Sequence, residues 1–153
     1  MTDLRFQRTE LLIKKEGIDK LNNSKVLVFG LGGVGSYVVE ALARGGVGTL
    51  GICDMDVVNI TNINRQLIAL TSTLDKPKVK VTKERLLDIN PALNVIEYPF
   101  LLNEETMESI DFNKYDYIVD AIDMVSSKIL LIRKAKELNI NIISSMGTAN
   151  KLN

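Results

Sequence analysis

The chain has 153 residues, 46% apolar and 25% charged, which suffices for one domain with a sizeable core. Nineteen Lys and Arg offset nineteen Asp and Glu, so no bulk charge favours nucleic acid or an anionic membrane, although a local basic patch fits within a neutral whole. There is no histidine and one cysteine, Cys53, which excludes Ser-His and Cys-His hydrolases, intrachain disulfides and cysteine-based zinc sites within this chain.

From the N-terminus, Leu4–Leu21 carries a helical apolar pattern through Phe6, Leu11, Leu12 and Ile18. Five short apolar runs follow: Lys25–Gly30, Thr49–Asp54, Asn94–Tyr98, Asp116–Ile122 and Ile140–Ser144. Several are nearly continuous in Val and Ile, as strands covered on both faces tend to be. Helical patterns separate them at Val34–Arg44, Pro77–Ile89 and Val125–Leu138, with a looser one near Glu104–Ile110. Alternating strand and helix predicts an α/β, Rossmann-like, doubly wound fold: a mainly parallel sheet of about five strands preceded by an N-terminal helix. Cys53 lies inside an apolar run, so a buried, inert thiol is expected. No stretch approaches the roughly 18 apolar residues of a membrane span, and Met1–Lys15 has no apolar signal core. The expectation is a cytoplasmic protein without a membrane partner. The chain stops a few residues after the fifth strand with no helix to cover that edge, which suggests a piece of a longer protein or an edge covered by a partner.

Gly30, Gly32 and Gly35 spell G-x-G-x-x-G between the first strand and the first crossover helix, with Gly33 inside the same loop. Such a turn lets backbone N–H groups and a helix N-terminus approach phosphate oxygens; the bland alternative is that the glycines only permit tight packing. There is no G-x-x-x-x-G-K-[ST], so this is not a P-loop. Asp54 follows Gly35 by 19 residues at the end of the second strand, where a carboxylate can bind ribose hydroxyls or simply face solvent. Asp56, in the loop beyond, is the lesser candidate for the same role.

Glycine loop plus acid is the usual signature of NAD, but the next stretches carry charge that hydride transfer does not need. In "TNINRQL", Arg65 can offer a forked donor to phosphate oxygens or be an ordinary surface arginine. Pro77 suits the first position of a helix, which puts Lys78 in its first turn; a cation there opposes the helix dipole unless its amine reaches an anion. Lys76, Lys80, Lys83 and Arg85 read as a solvated face. "YIVDAIDMVSSK" puts Asp120 and Asp123 at the carboxyl end of the fourth strand, where a carboxylate can hold Mg²⁺ against phosphates. Asp123 can also cap the helix that follows.

Together these stretches resemble the ThiF/MoeB/E1 superfamily of ATP-dependent adenylating enzymes. The resemblance covers nearly the whole chain and runs in order: R-F-x-R at Arg5–Arg8, the glycine loop, A-x-x-G-V-G at 43–48, N-x-N-R-Q at 62–66, K-P-K at 76–78, I-N-P at 89–91 and the strand-four aspartate. It implies that the glycine loop and Asp54 bind ATP rather than NAD. It also implies that Asn62, Arg65 and Lys78 contact the triphosphate and that Asp123 organises Mg²⁺. Arg8 matches an arginine that dimers of this superfamily lend to the neighbouring subunit's ATP, which implies a homodimer.

Within the superfamily, "RFQRTELLI", "AIDMVSSK" and "SSMGTANKLN" are most similar to the tRNA threonylcarbamoyladenosine dehydratases. That group adenylates the threonyl carboxylate of a modified adenosine beside the anticodon, and ring closure then expels AMP. Its members are about a hundred residues longer, which agrees with a chain holding only the N-terminal part. The alternative within the resemblance is activation of the C-terminal glycine of a ubiquitin-like sulfur carrier, with a carrier or desulfurase as partner. Outside it stand a nicotinamide oxidoreductase and a non-catalytic nucleotide-binding module. Adenylation suits a chain without histidine, because the attacking carboxylate is already ionised near neutral pH. Arg65, Lys78, Asp123 and Arg8 are therefore the catalytic candidates.

Overall fold

In the computed structural model, residues 3–146 are described. A short helical turn at Leu4–Phe6 leads into α1 (Gln7–Asn23), then β1 (Lys25–Phe29), α2 (Gly35–Gly45) and β2 (Thr49–Cys53). Next come α3 (Lys78–Ile89), β3 (Asn94–Tyr98), α4 (Glu104–Met107), β4 (Tyr117–Asp120), α5 (Val125–Glu137) and β5 (Asn141–Ser144). All four strand pairings are parallel and the sheet order is β3-β2-β1-β4-β5. The expected Rossmann-like α/β fold is therefore the one observed. Each expected strand is present, shortened by up to three residues at its ends. Of the stretch "SSMGTANKLN" used for the resemblance, residues 147–153 lie outside the described residues.

Strand alternation sorts the core onto two faces. Val26 and Val28 of β1, with Leu50 and Ile52 of β2, pack beneath α2 and α3 against Val39, Ala43, Val79 and Leu86. Leu27 and Phe29 point the other way, toward Ile118, Phe112, Tyr115 and, on α5, Leu131 and Ala135. Both faces of the central strands are thus dry, which explains why those strands read as unbroken apolar runs rather than as alternating ones. Among the described residues β5 pairs only with β4, and its Ile143 is exposed.

Three local expectations are corrected. The N-terminal helix is not one regular helix, because Lys14 adopts φ 61° and ψ 175° and breaks it. Phe6 and Ile18 are buried on either side of that break, whereas Leu11 and Leu12 stand in solvent, at 78% and 84% exposure. Pro77 is not the first helical residue: its ψ of 131° makes it the cap, and Lys78 opens α3. Nor is Lys83 or Arg85 merely solvated. Lys83 pairs with Glu97 at 2.9 Å, and Arg85 staples α3 to α2 through Glu40, which also pairs with Arg44. The hydrogen bond from Arg85 outweighs partial burial and, with help from Arg44, holds the Glu40 carboxyl below the usual range.

The burial pattern predicts that Leu27→Ala lowers unfolding free energy by about 3 kcal/mol, as large-to-small changes in dry cores do. Leu12→Ala, on the same apolar scale, is expected to stay within about 0.5 kcal/mol. Urea unfolding of both variants checks the pair.

Candidate functional site

The strand order reverses direction between β1 and β4, and at their carboxyl ends the chain opens a cleft of about 330 Å³. Crevices of this kind form where crossovers leave a doubly wound sheet on opposite faces. The glycine loop forms its floor, and two of its glycines have no substitute. Gly30 has φ +87°, and a Cβ on it would sit 2.5 Å from the Ala121 carbonyl oxygen. A Cβ on Gly35 would sit 1.7 Å from the Gly30 oxygen. Gly32 and Gly33 are different: their nearest neighbours would be side chains, Gln66 at 3.7 Å and Arg65 at 3.5 Å. Packing therefore demands the outer glycines, while a Cβ at either inner one would make only ordinary van der Waals contact with Gln66 or Arg65. Beyond the loop, α2 begins at Gly35, with the positive end of its dipole at the loop.

Asp54 ties this floor to the end of β2. Its Oδ2 accepts from the Leu31 N–H at 2.7 Å and its Oδ1 from the Asp56 N–H at 2.8 Å. Asp54 and Asp56 both line the cleft, and each Asp54 oxygen can accept more than the one N–H it holds. Asp56 carries a second function here: its Oδ2 pairs with the Lys78 amine at 3.1 Å, and its carbonyl accepts the Lys78 N–H at 2.9 Å. Lys78 is only 4% exposed, so this lysine forms part of the cleft wall despite its place in the first turn of α3.

The segment from Asn59 supplies the opposite lip. Asn62 is buried and closes a capping box by accepting from the Asn59 N–H at 2.9 Å. The Arg65 guanidinium donates to the Thr61 carbonyl and to Asn64 Oδ1, both at 3.0 Å, and remains exposed at the cleft. Ser36 fastens this segment to the glycine loop: its Oγ donates to the Gly32 carbonyl and accepts the Leu67 N–H.

The two aspartates of strand four part company. Asp120 is fully buried and paired with Lys128 at 2.7 Å, so it faces the interior. Asp123 is exposed, lines the cleft and has no ion pair or side-chain hydrogen bond among the described residues. It does not cap α5 either, since Met124 is the capping residue and makes no side-chain capping bond. Arg8, on α1, does not line the cleft, is exposed, and has no ion-pair partner among the described residues.

Sequence reasoning missed several contributors. Phe100, Leu101, Leu102 and Ile122 give the cleft an apolar side, and no spacing rule marks a post-strand apolar tripeptide. Gln66 is 7% exposed, and its buried Oε1 has no hydrogen-bond partner among the described residues. It stands inside N-x-N-R-Q, so a signal was present. Cys53 matches its expectation: buried, donating from Sγ to the Phe100 carbonyl at 3.3 Å, its thiol pushed up to about 12 chiefly by burial.

The donor set suits a polyphosphate with an apolar, flat base. Arg65 and Lys78 are cations that can donate to phosphate oxygens, and Phe100, Leu101, Leu102 and Ile122 line the same cleft with apolar surface. Among the described residues no three His, Cys, Asp or Glu side chains converge to cage a metal. A lone carboxylate such as Asp123 suits Mg²⁺, which commonly takes one or two carboxylates and completes its shell with phosphates and water.

The ThiF family model matches residues 6–151. This chain belongs to the ThiF family. It is similar to the tRNA threonylcarbamoyladenosine dehydratase of Bacillus subtilis, 50% identical over 146 residues that make up 95% of this chain and 58% of that protein. The Escherichia coli enzyme of the same name, solved in complex with AMP, superposes with a TM-score of 0.92 at 33% identity, covering 97% of this chain and 61% of that one. A structure of it in complex with ATP superposes at 0.90, covering the same shares of the two chains. The chain is also similar, at 35% identity over 96% of its length and 34% of the other protein, to the adenylyltransferase and sulfurtransferase UBA4 of Vanderwaltozyma polyspora. It thus spans a little over half the length of the dehydratases it matches.

The glycine geometry predicts that Gly35→Ala fails to fold or unfolds at least 10 °C lower, because backbone must move to admit the methyl group. Gly33→Ala is expected to shift the midpoint by only about 2 °C. Thermal unfolding followed by circular dichroism reads both.

Proposed function

We propose that this chain forms the ATP-binding half of an enzyme that adenylates a carboxylate, namely the threonyl carboxylate of tRNA threonylcarbamoyladenosine. The carboxylate oxygen attacks the α-phosphorus of ATP and pyrophosphate leaves; intramolecular ring closure then expels AMP and yields the cyclised nucleoside. One observation carries the reading. Arg65, Lys78 and Asp123 share a single cleft with Gly30 and Gly32, in a chain half identical to a dehydratase of that name.

The roles follow from the chemistry of each group. Backbone N–H groups of the loop Gly30, Gly32, Gly33 and Gly35, with the N-terminus of α2, would receive phosphate oxygens. Asp54 would accept the ribose hydroxyls, with Asp56 beside it holding the Lys78 amine. Asn62, Arg65 and Lys78 would stabilise the negative charge that grows on the leaving pyrophosphate. Mg²⁺, held by Asp123 together with phosphate oxygens, would supply further screening of that charge. The rest of catalysis is alignment, which needs no histidine base.

Arg8 lies outside the cleft and without an ion-pair partner among the described residues, and exposed Leu11 and Leu12 follow it on α1. This supports a homodimer in which Arg8 serves the neighbouring subunit's ATP. No helix among the described residues is long and apolar enough to cross a membrane, and a tRNA substrate would place the protein in the cytoplasm.

The intact protein carrying this chain, given ATP, Mg²⁺ and tRNA bearing threonylcarbamoyladenosine, is expected to release AMP and cyclise the nucleoside. Arg65→Ala should slow AMP release about 100-fold, the usual cost of one transition-state charge donor. Absence of AMP with every such tRNA, together with pyrophosphate exchange that depends on a ubiquitin-like sulfur carrier, would shift the reading to the UBA4-like alternative.

A further inference from the structure

Lys128 is the fourth residue of α5, yet its side chain is almost wholly buried and its amine reaches the carboxyl ends of β4 and β5. Its amine has three donors and uses all of them. Nζ donates to Asp120 Oδ2 at 2.7 Å, to Ser144 Oγ at 3.1 Å and to the Ser145 carbonyl at 2.9 Å. The Asp120 carboxylate is equally committed, for Ser144 Oγ also donates to Oδ2, and Oδ1 accepts the Ile122 N–H at 3.0 Å.

The pair closes a loop of the chain from Asp120 to Lys128. Every residue of that segment that lines the cleft falls inside the closure: Ala121, Ile122, Asp123, Met124 and Ser127. Ser127, next to Lys128, holds the facing wall by donating from Oγ to the Leu102 carbonyl at 2.7 Å. Asp123 has no such tie of its own among the described residues. Its place is set by the closed loop around it.

A buried ion pair is poor evidence for stability, since apolar residues of the same volume often serve as well. What they cannot do is orient a carboxylate three residues away through a directed hydrogen bond to Ile122. We propose that Lys128 is a positioning residue that aims Asp123 at a phosphate-bound divalent cation. It therefore governs affinity for the metal–nucleotide complex rather than for the nucleoside. This rests on the nucleotide reading above.

The test is calorimetric binding of adenosine, and of ATP across a range of Mg²⁺ concentrations, to the full-length protein carrying this chain. Lys128→Met is expected to weaken Mg²⁺-dependent ATP binding about ten-fold, the common cost of losing a group that orients a ligand. Adenosine affinity should change less than about two-fold, and Lys128→Arg should recover most of the loss. Should the methionine variant fail to fold, Ser144→Ala removes one partner of the amine and is expected to shift ATP in the same direction by about three-fold.

Equal losses for adenosine and Mg²⁺-ATP would mean general loosening and would overturn the positioning role. So would unchanged Mg²⁺-ATP affinity in a folded variant. A wild-type protein that binds neither ligand overturns the nucleotide reading itself.

Discussion

Backbone meets backbone where β1 and β4 diverge, and the cleft depends on that contact. Gly30 turns with a positive φ directly against the Ala121 carbonyl, and Gly35 starts α2 directly against Gly30. No side chain fits at either point. Because the two loops touch there, Gly30 and Gly32, the Asp54 carboxylate and the Ala121–Met124 segment all face one space. The same contact ties stability to function, since the residues that close the fold also form the floor of the site.

Around that floor the charges are arranged by partners rather than left loose. Asp54 grips the Leu31 N–H, Asp56 grips Lys78, and Lys128 grips Asp120. Arg65 and Asp123 are the charged groups at the cleft with little or no such commitment among the described residues. One can offer hydrogen bonds to an anion and the other can ligate a cation. This division between committed and free charges is what a metal-bound polyphosphate calls for.

Much of this was readable from the sequence, for physical reasons that differ by element. The strands were legible because two-sided burial makes them continuous in Val and Ile, and the glycine loop because close backbone approach admits nothing larger. The break at Lys14 was not, since nothing in "LLIKKEG" breaks the apolar period. Asp120 and Asp123 could not be separated by spacing alone. Their difference depends on a lysine eight residues from the first, reaching back across a helix turn. The apolar side formed by Phe100, Leu101 and Leu102 was equally hidden, because a three-residue loop carries no period. Arg8, singled out by its motif, stays outside the cleft.

Proposed above as the site of a magnesium nucleoside triphosphate, this cleft is not expected to prefer a dinucleotide. Competition calorimetry of ATP with Mg²⁺ against NAD, on the intact protein carrying this chain, tests it most directly. ATP is expected to bind, Mg²⁺ to strengthen the binding, and NAD at equal concentration not to displace it. Tighter binding of NAD than of ATP, with no effect of Mg²⁺, would contradict it.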